Sequence, residues 1–372
     1  MSNEFLILAI HTPVRAYTLK SILENSGIEV RLKKVEDETE TESLYVMIRS
    51  ADLSNALNII EANRLFSYDD KFTHLTDDGR KRILVAVDFS KHSMKACQIA
   101  FSLAKDFNAK VKILHVYHSM YFPSQIPFAD TLKETPEEGL LDKARRKMLD
   151  LCLDIDEKIN SHEWPSVNYS YSLREGVVDE VTDSFTKEYK PSLVVMGTKG
   201  KDNNKTGMLG SIAADIIETI RVPVFAVPEN SPINSLSDIK HIAFLTNTPK
   251  RDFSYFHPLV NVINKNPEVK ITFVHINGIY GDKWDENELV ETCNSFSKLY
   301  PQVNAGYKLI DPTDVTLAVD NFVKFIEEEK VNVISLAAQK RNLLSRMFLP
   351  GNSRKILFNI DTALFIMTKP HK

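Results

Sequence analysis

Apolar and polar positions follow two different rhythms along the chain, and the change falls near residue 81. Residues 1–66 read as a βαββα unit. Phe5 to His11 is an apolar strand, Thr12-Pro13 offers an N-cap with proline at the first helical position, and Gly27 stops the helix between them. Ile28 to Val35 and Leu44 to Ile48 read as two further strands, joined by the acidic stretch Glu36 to Glu42. A helix from Ala51 to Asn63 closes the unit, with Leu53, Ala56, Leu57 and Ile60 on one face. Residues 67–80 lose this periodicity and read as a linker.

From residue 81 strands alternate with helices, the pattern of a parallel sheet. Ile83 to Val87 is wholly apolar, so burial on both faces is expected. Ser90 can cap the next helix, which runs to Phe107. Val111 to Tyr117, Val167 to Leu173, Leu193 to Met196 and Val222 to Val227 are the following strands, with helices at 138–160, Val178 to Tyr189 and Ile212 to Ile220 between them. Pro223 places the last of these strands at a sheet edge, because proline cannot donate to a ladder.

The same order recurs after residue 240. Lys81-Arg82-Ile83 matches Lys240-His241-Ile242, and Val111-Lys112-Ile113 matches Val269-Lys270-Ile271. Leu193 to Met196 matches Val333 to Leu336, and Val222 to Val227 matches Thr362 to Met367. The offset falls from 159 to 140 residues, so the second copy is shorter, chiefly after His118. Residues 228–239 form the linker between copies. Pairing of the two last strands would hide two sheet edges at once and make a pseudo-dimer within one chain.

Composition narrows the function classes. A net charge of −4 with 26 % charged residues gives no global basic field for nucleic acid. No apolar run reaches a membrane span, and the start lacks the basic region of a signal peptide. Cys97, Cys152 and Cys293 are odd in number and far apart, offering neither a disulfide framework nor a paired-cysteine metal or redox unit. These features point to the cytoplasm, with no membrane and no nucleic acid as partner.

Glycine is the unusual residue. There are 12, where average usage of about 7 % would give roughly 26, and four of them (Gly197, Gly200, Gly207, Gly210) fall within 14 residues. That cluster lies between a buried strand and a helix start, where open α/β sheets bind ligands. Gly197 and Gly200 let backbone approach a ligand. Gly210 and Ser211 would open the next helix with unpaired N–H groups facing an anion, and Lys199, Lys201 and Lys205 add charge. This is a phosphate cradle, although tight turns alone would account for the same glycines. The spacing matches neither a P-loop nor a dinucleotide-binding glycine motif.

Gly-x2-Gly-x9-Gly-Ser after the fourth strand, with Val87-Asp88-Phe89-Ser90 after the first, resembles the universal stress protein family in its ATP-binding branch. The resemblance covers residues 81–227 well and 240–369 more weakly. It implies an α/β fold: two tandem open parallel-sheet domains (Rossmann-like, of the adenine nucleotide alpha hydrolase type) at 81–229 and 240–369. A small βαββα domain of ferredoxin-like order precedes them at 1–66, and loosely resembles a bacterial signal-transducing domain. The ligand implied is ATP, with AMP and ADP as alternatives and Mg2+ accompanying ATP. Ala86, Val87 and Asp88 would meet the adenine, Val116 the base, and Met196 and Gly197 the ribose and phosphate side. Lys199, Gly200, Gly210, Ser211 and Ile212 would hold the triphosphate. Asp88 reads equally as a helix N-terminal acid ahead of Ser90. The family relation also allows a homodimer.

The second copy departs from the motif: Asn247, Ala337, Lys340 and Pro350 replace Asp88, Gly197, Gly200 and Gly210. It therefore reads as a non-binding partner and as an internal control: the fold does without these glycines, so the first copy keeps them for a ligand. The basic stretch 337–357 reads as a solvated helix start with a packing stripe behind it, in preference to a docking surface for an acidic partner or an anion. His115 and His118 fall on opposite faces of a strand end, a poor arrangement for shared metal ligation. Glu175-Gly176 and Trp164-Pro165 read as structural. No general base stands near the loop by spacing, which favours a nucleotide-binding regulator over a slow ATPase, a self-phosphorylating enzyme or an empty scaffold.

Overall fold

A computed structural model describes residues 5–11, 13–34, 44–62, 80–117, 136–198, 210–246, 266, 268–277, 283–311, 315–337 and 362–367. The chain forms two compact units, Met1–Phe89 with Ala100–Pro191 and Ser90–Ile99 with Ser192–Lys372.

The first unit opens with β1 (Phe5–His11), α1 (Pro13–Asn25), β2 (Val30–Lys34), β3 (Leu44–Arg49) and α2 (Leu53–Ala62). The strands make an antiparallel sheet in the order β1-β3-β2. Gly27 stops α1 as expected. At φ +83° it lets its own N–H and that of Ile28 reach back to the Glu24 and Leu23 carbonyls, both at 3.0 Å. This closure delays β2, which starts at Val30 rather than Ile28.

There follow β4 (Arg82–Ala86), α3 (Lys91–Asp106), β5 (Lys110–Tyr117), α4 (Pro136–Asn160), β6 (Tyr169–Glu175) and α5 (Val178–Tyr189). β4, β5 and β6 are parallel. Their core is aromatic: Phe101 of α3 meets Trp164 and Tyr169 at ring separations of 5.5 and 5.3 Å. The amino-terminal sheet belongs to this unit. β1 lies against α4 and β6, and the hydroxyls of Tyr45 and Ser166 share a hydrogen bond.

The second unit contains β7 (Leu193–Gly197), α6 (Ser211–Thr219), β8 (Val224–Val227), β9 (His241–Leu245), β10 (Lys270–Ile276), α7 (Glu286–Leu299), β11 (Asn304–Ile310), α8 (Val315–Glu328), β12 (Val333–Ala337) and β13 (Ala363–Met367). Its strand order is β11-β10-β9-β12-β13-β8-β7. All neighbours are parallel except β13 and β8, where Phe225 stands opposite Phe365 with their rings edge-on at 5.9 Å. The edge position expected from Pro223 is overturned. β8 is flanked by β7 and β13, and the proline sits just before its first residue, where only its carbonyl is used, by the Val194 N–H.

Residues 228–239, read as a linker, are tightly held. Ile233, Leu236 and Ile239 are buried, Ser235 and Asp238 form a capping box, and the Asn266 amide donates to the Leu236 and Ile239 carbonyls at 2.8 and 2.7 Å.

Strand register also corrects one step of the internal match. Ile83 stands opposite Val111, and Ile242 opposite Ile271. Val111 therefore corresponds to Ile271 rather than Val269, which brings His115 onto His275. The two histidines make the same contact: His115 Nδ1 lies 2.8 Å from the Val87 carbonyl, and His275 Nδ1 lies 2.8 Å from the Thr246 carbonyl.

Candidate functional site

In the first unit the candidate residues gather where β4 and β5 end. Ala86 closes β4, and the Val87 N–H continues the ladder to the Leu114 carbonyl at 2.9 Å. Asp88 follows, half-buried. Phe89 then takes φ +62°, a left-handed value rare for a residue with a bulky side chain. Its ring meets the His115 imidazole at 4.2 Å. Since the Val87 carbonyl can only accept, His115 Nδ1 carries the proton. His115 thus holds the backbone immediately before Asp88. Val116, next along β5, is half-buried at the same end. His118 lies outside the described residues. Gly176 meets the Tyr117 carbonyl at 3.0 Å through its N–H. At φ +137°, a β-carbon there would sit 2.7 Å from Val181 Cγ2, which supports a structural part for that turn.

In the second unit Ser90 caps α3, its hydroxyl accepting from the Ser93 N–H at 3.2 Å. Met196 is buried and Gly197 half-buried at the end of β7. Thr198 donates its N–H to the Val227 carbonyl at 3.1 Å and accepts the Gly210 N–H at 2.6 Å. This last bond brings the two ends of the glycine segment together, so Gly197, Gly210, Ser211 and Ile212 share one strand end. Gly210 is the N-cap of α6, with extended backbone and no side-chain cap. The Ala214 N–H already returns to the Gly210 carbonyl, which leaves the N–H groups of Ser211, Ile212 and Ala213 without a partner among the described residues. Ile212 is 55 % exposed beside them. Lys199, Gly200, Lys201, Lys205 and Gly207 lie outside the described residues, as do Asn247, Lys340, Pro350 and nearly all of the basic stretch 337–357.

Gly197 has a structural reason that spacing alone did not reveal. A β-carbon there would lie 2.6 Å from His92 Cβ and 2.9 Å from the His92 carbonyl carbon. The first turn of α3 therefore presses directly on β7. His92 is itself fixed, its Nδ1 accepting the Glu229 N–H at 3.0 Å. The internal-control reasoning does not separate ligand from packing at this glycine.

Three further residues at these strand ends were not read as site positions: His115, Phe89 and Thr198. The recurrence of His115 as His275 was a readable signal, hidden by the two-residue error in the match. Thr198 is buried, and its hydroxyl has no partner among the described residues. The strand ends around His275 are differently furnished. The Trp284 ring stacks on His275 at 4.2 Å and 6°, and the Asn277 amide clasps the Trp284 backbone at 2.8 and 3.0 Å. Ile276, which corresponds to Val116, is buried.

The universal stress protein family model matches residues 79–228. A universal stress protein of Methanocaldococcus jannaschii is 30 % identical over 153 residues, 40 % of this chain and 81 % of the relative. The chain belongs to the universal stress protein family. YxiE, a universal stress protein of Bacillus subtilis, is 28 % identical over 160 residues, 39 % of this chain and 97 % of its own. A solved universal stress protein from Archaeoglobus fulgidus covers 78 % of this chain and 98 % of itself with a TM-score of 0.55 at 14 % identity, a likeness of fold. Among the described residues, no helix of this family member is long and apolar enough to cross a membrane.

Proposed function

We propose that this universal stress protein binds an adenine nucleotide, ATP in the first instance, in its first repeat and uses occupancy as a regulatory signal. The observation that carries the reading is the closure of the glycine segment by the Gly210 to Thr198 hydrogen bond, which sets three N–H groups of α6, without partners among the described residues, at the end of β7. Lys199, Gly200, Gly210, Ser211 and Ile212 hold the phosphates in this reading. Met196 and Gly197 line the ribose side, and Ala86, Val87, Asp88 and Val116 take the base. The second repeat binds no nucleotide, its strand ends being occupied by the His275–Trp284 stack.

The reading divides the chain into domains 1–66, 81–229 and 240–369. It treats the two repeats as a tandem pair joined through β8 and β13, which the antiparallel register of Phe225 with Phe365 supports. The β1-β3-β2 order supports a ferredoxin-like regulatory module at 1–66. Three buried free thiols fit a reducing compartment, the cytoplasm.

Mass spectrometry of protein purified without added nucleotide, followed by calorimetric titration with ATP and AMP, tests the proposal. Saturable binding lost in both Gly200→Val and Asp88→Ala supports it. Nucleotide-free protein with no binding heat at millimolar ATP overturns it. A phosphate-release assay run beside it shows whether bound ATP turns over, which would assign an enzyme instead.

A further inference from the structure

The second repeat has a cleft of about 420 Å³ along its outermost strand β11, under α8. Gly306 and Lys308 of β11, Thr272 of β10, and Phe325 and Lys324 of α8 line it. Its origin is clear from the first repeat. There Arg82 donates to the Tyr189 carbonyl at 2.8 Å, and in the second repeat His241 Nδ1 meets the Glu329 carbonyl at 2.9 Å. These contacts equate Arg82 with His241 and Tyr189 with Glu329, and the strand register equates Lys112 with Thr272 and Ser170 with Gly306. In the first repeat this space is filled: the buried Lys112 ammonium lies 5.7 Å from the Tyr189 ring centroid, with the Arg82 guanidinium 5.5 Å from the same ring. Threonine, glutamate and glycine in the matching places leave it open.

The floor has a defined polarity. The Glu329 carbonyl can only accept, so His241 Nδ1 carries the proton. Burial holds His241 below the usual imidazole range, which keeps the ring neutral. Nε2 is then bare and accepts the Thr272 hydroxyl proton at 2.7 Å. The Thr272 oxygen is left with acceptor capacity toward the cleft. Around the rim the acids are engaged: Glu329 with Lys270 at 2.7 Å, Glu328 with Lys324 at 3.6 Å, and Asp311 with Lys283 at 3.3 Å. Lys308 makes no ion pair among the described residues, although its charge, after the Lys270 bond, helps hold the Glu329 carboxyl below its usual range. The open cleft thus offers an acceptor floor and, at its rim, an ammonium held in no ion pair among the described residues.

We propose that this cleft binds a small hydroxylated anion, of the sugar phosphate or hydroxy acid class. A ligand hydroxyl donates to Thr272 Oγ1, the anionic group pairs with Lys308, and bare Gly306 leaves room for the body between them. The site is independent of the nucleotide reading, since it uses none of the same residues.

The test is methyl-detected NMR of the full chain, following Leu309 and Ile310, titrated with glycerol 3-phosphate and, separately, with ethyl phosphate. Saturable shifts at these methyls are expected with glycerol 3-phosphate, weakened roughly tenfold in Lys308→Ala. They should be abolished in Gly306→Val, which fills the cleft. Ethyl phosphate, lacking hydroxyls, should bind more weakly. Absence of saturable shifts at Leu309 and Ile310 overturns the proposal. So does binding that both variants leave intact. Unchanged spectra of the variants away from β11 and α8 serve as the folding check, and Lys308→Arg, which keeps the charge, should retain binding if either variant misfolds.

Discussion

Replacing Asp156 with asparagine should remove a defined slope from the pH dependence of stability in the first unit. Asp156 sits on α4, 5 % exposed. One carboxyl oxygen accepts the Tyr169 hydroxyl at 2.6 Å, and the other has no partner among the described residues. Burial pushes the carboxyl up from 3.8 to about 7, only partly offset by the tyrosine bond. The folded value therefore lies above the unfolded one. The contribution to stability is fully present below about pH 3.8 and is lost as pH rises through about 7. Between roughly pH 5.5 and 7.5 the loss amounts to about 2 kcal/mol. The asparagine cannot ionise, so this part of the slope disappears. Its amide nitrogen, left without an acceptor, adds a pH-independent cost of about 1–3 kcal/mol. The slope, not the midpoint, is thus the quantity to read. Urea unfolding followed by Trp164 fluorescence in a Trp284→Phe background reports this unit, because Trp164 packs against Phe101 beside Tyr169. If the difference in unfolding free energy between the two proteins is constant across that range, Asp156 is ionised in the fold and the reasoning is refuted.

Gly197→Ala should destabilise by about 1–3 kcal/mol even without nucleotide, because the new methyl meets His92 at 2.6 Å; a thermal melt at the wild-type midpoint would exclude this. Phe225→Ala removes one ring of the β8–β13 pair and should cost about 3–5 kcal/mol by chemical denaturation. Ser90→Ala loses the α3 cap and should cost about 1 kcal/mol, read by the same denaturation. Burial pushes the Cys97 thiol up to about 12, so near pH 8 it should resist a thiol reagent in folded protein and react only in denaturant; prompt labelling of the native chain at Cys97 would contradict its placement.

The alternation of strands and helices from Ile83 onward was legible in the sequence, because a parallel sheet buried on both faces requires unbroken apolar runs and those runs are visible. Val178 to Tyr189 was read with both helix ends correct, since an apolar stripe at helical spacing marks its own limits. The motif glycines and the Ser90 cap were equally visible, being local devices. What depends on which strands become neighbours was not. Pro223 read as an edge marker because only the tertiary pairing of β8 with β13 could place a partner on its far side. The packing part of Gly197 was not legible, because His92 lies 105 residues earlier in the chain and meets it only through the packing of α3 on β7. The cleft beneath α8 arises from side chains of three separated elements being short together, which no single segment records.

The sequence by itself therefore determined most of the elements and the family. Periodicity, caps and motif spacing act over a few residues, and each leaves its trace in the chain. Only the tertiary structure decided what Gly197 packs against, how the strand ends at His115 and His275 differ, and where empty space remains. Those outcomes are set by close packing between segments distant in sequence, where a single β-carbon decides whether two elements can meet.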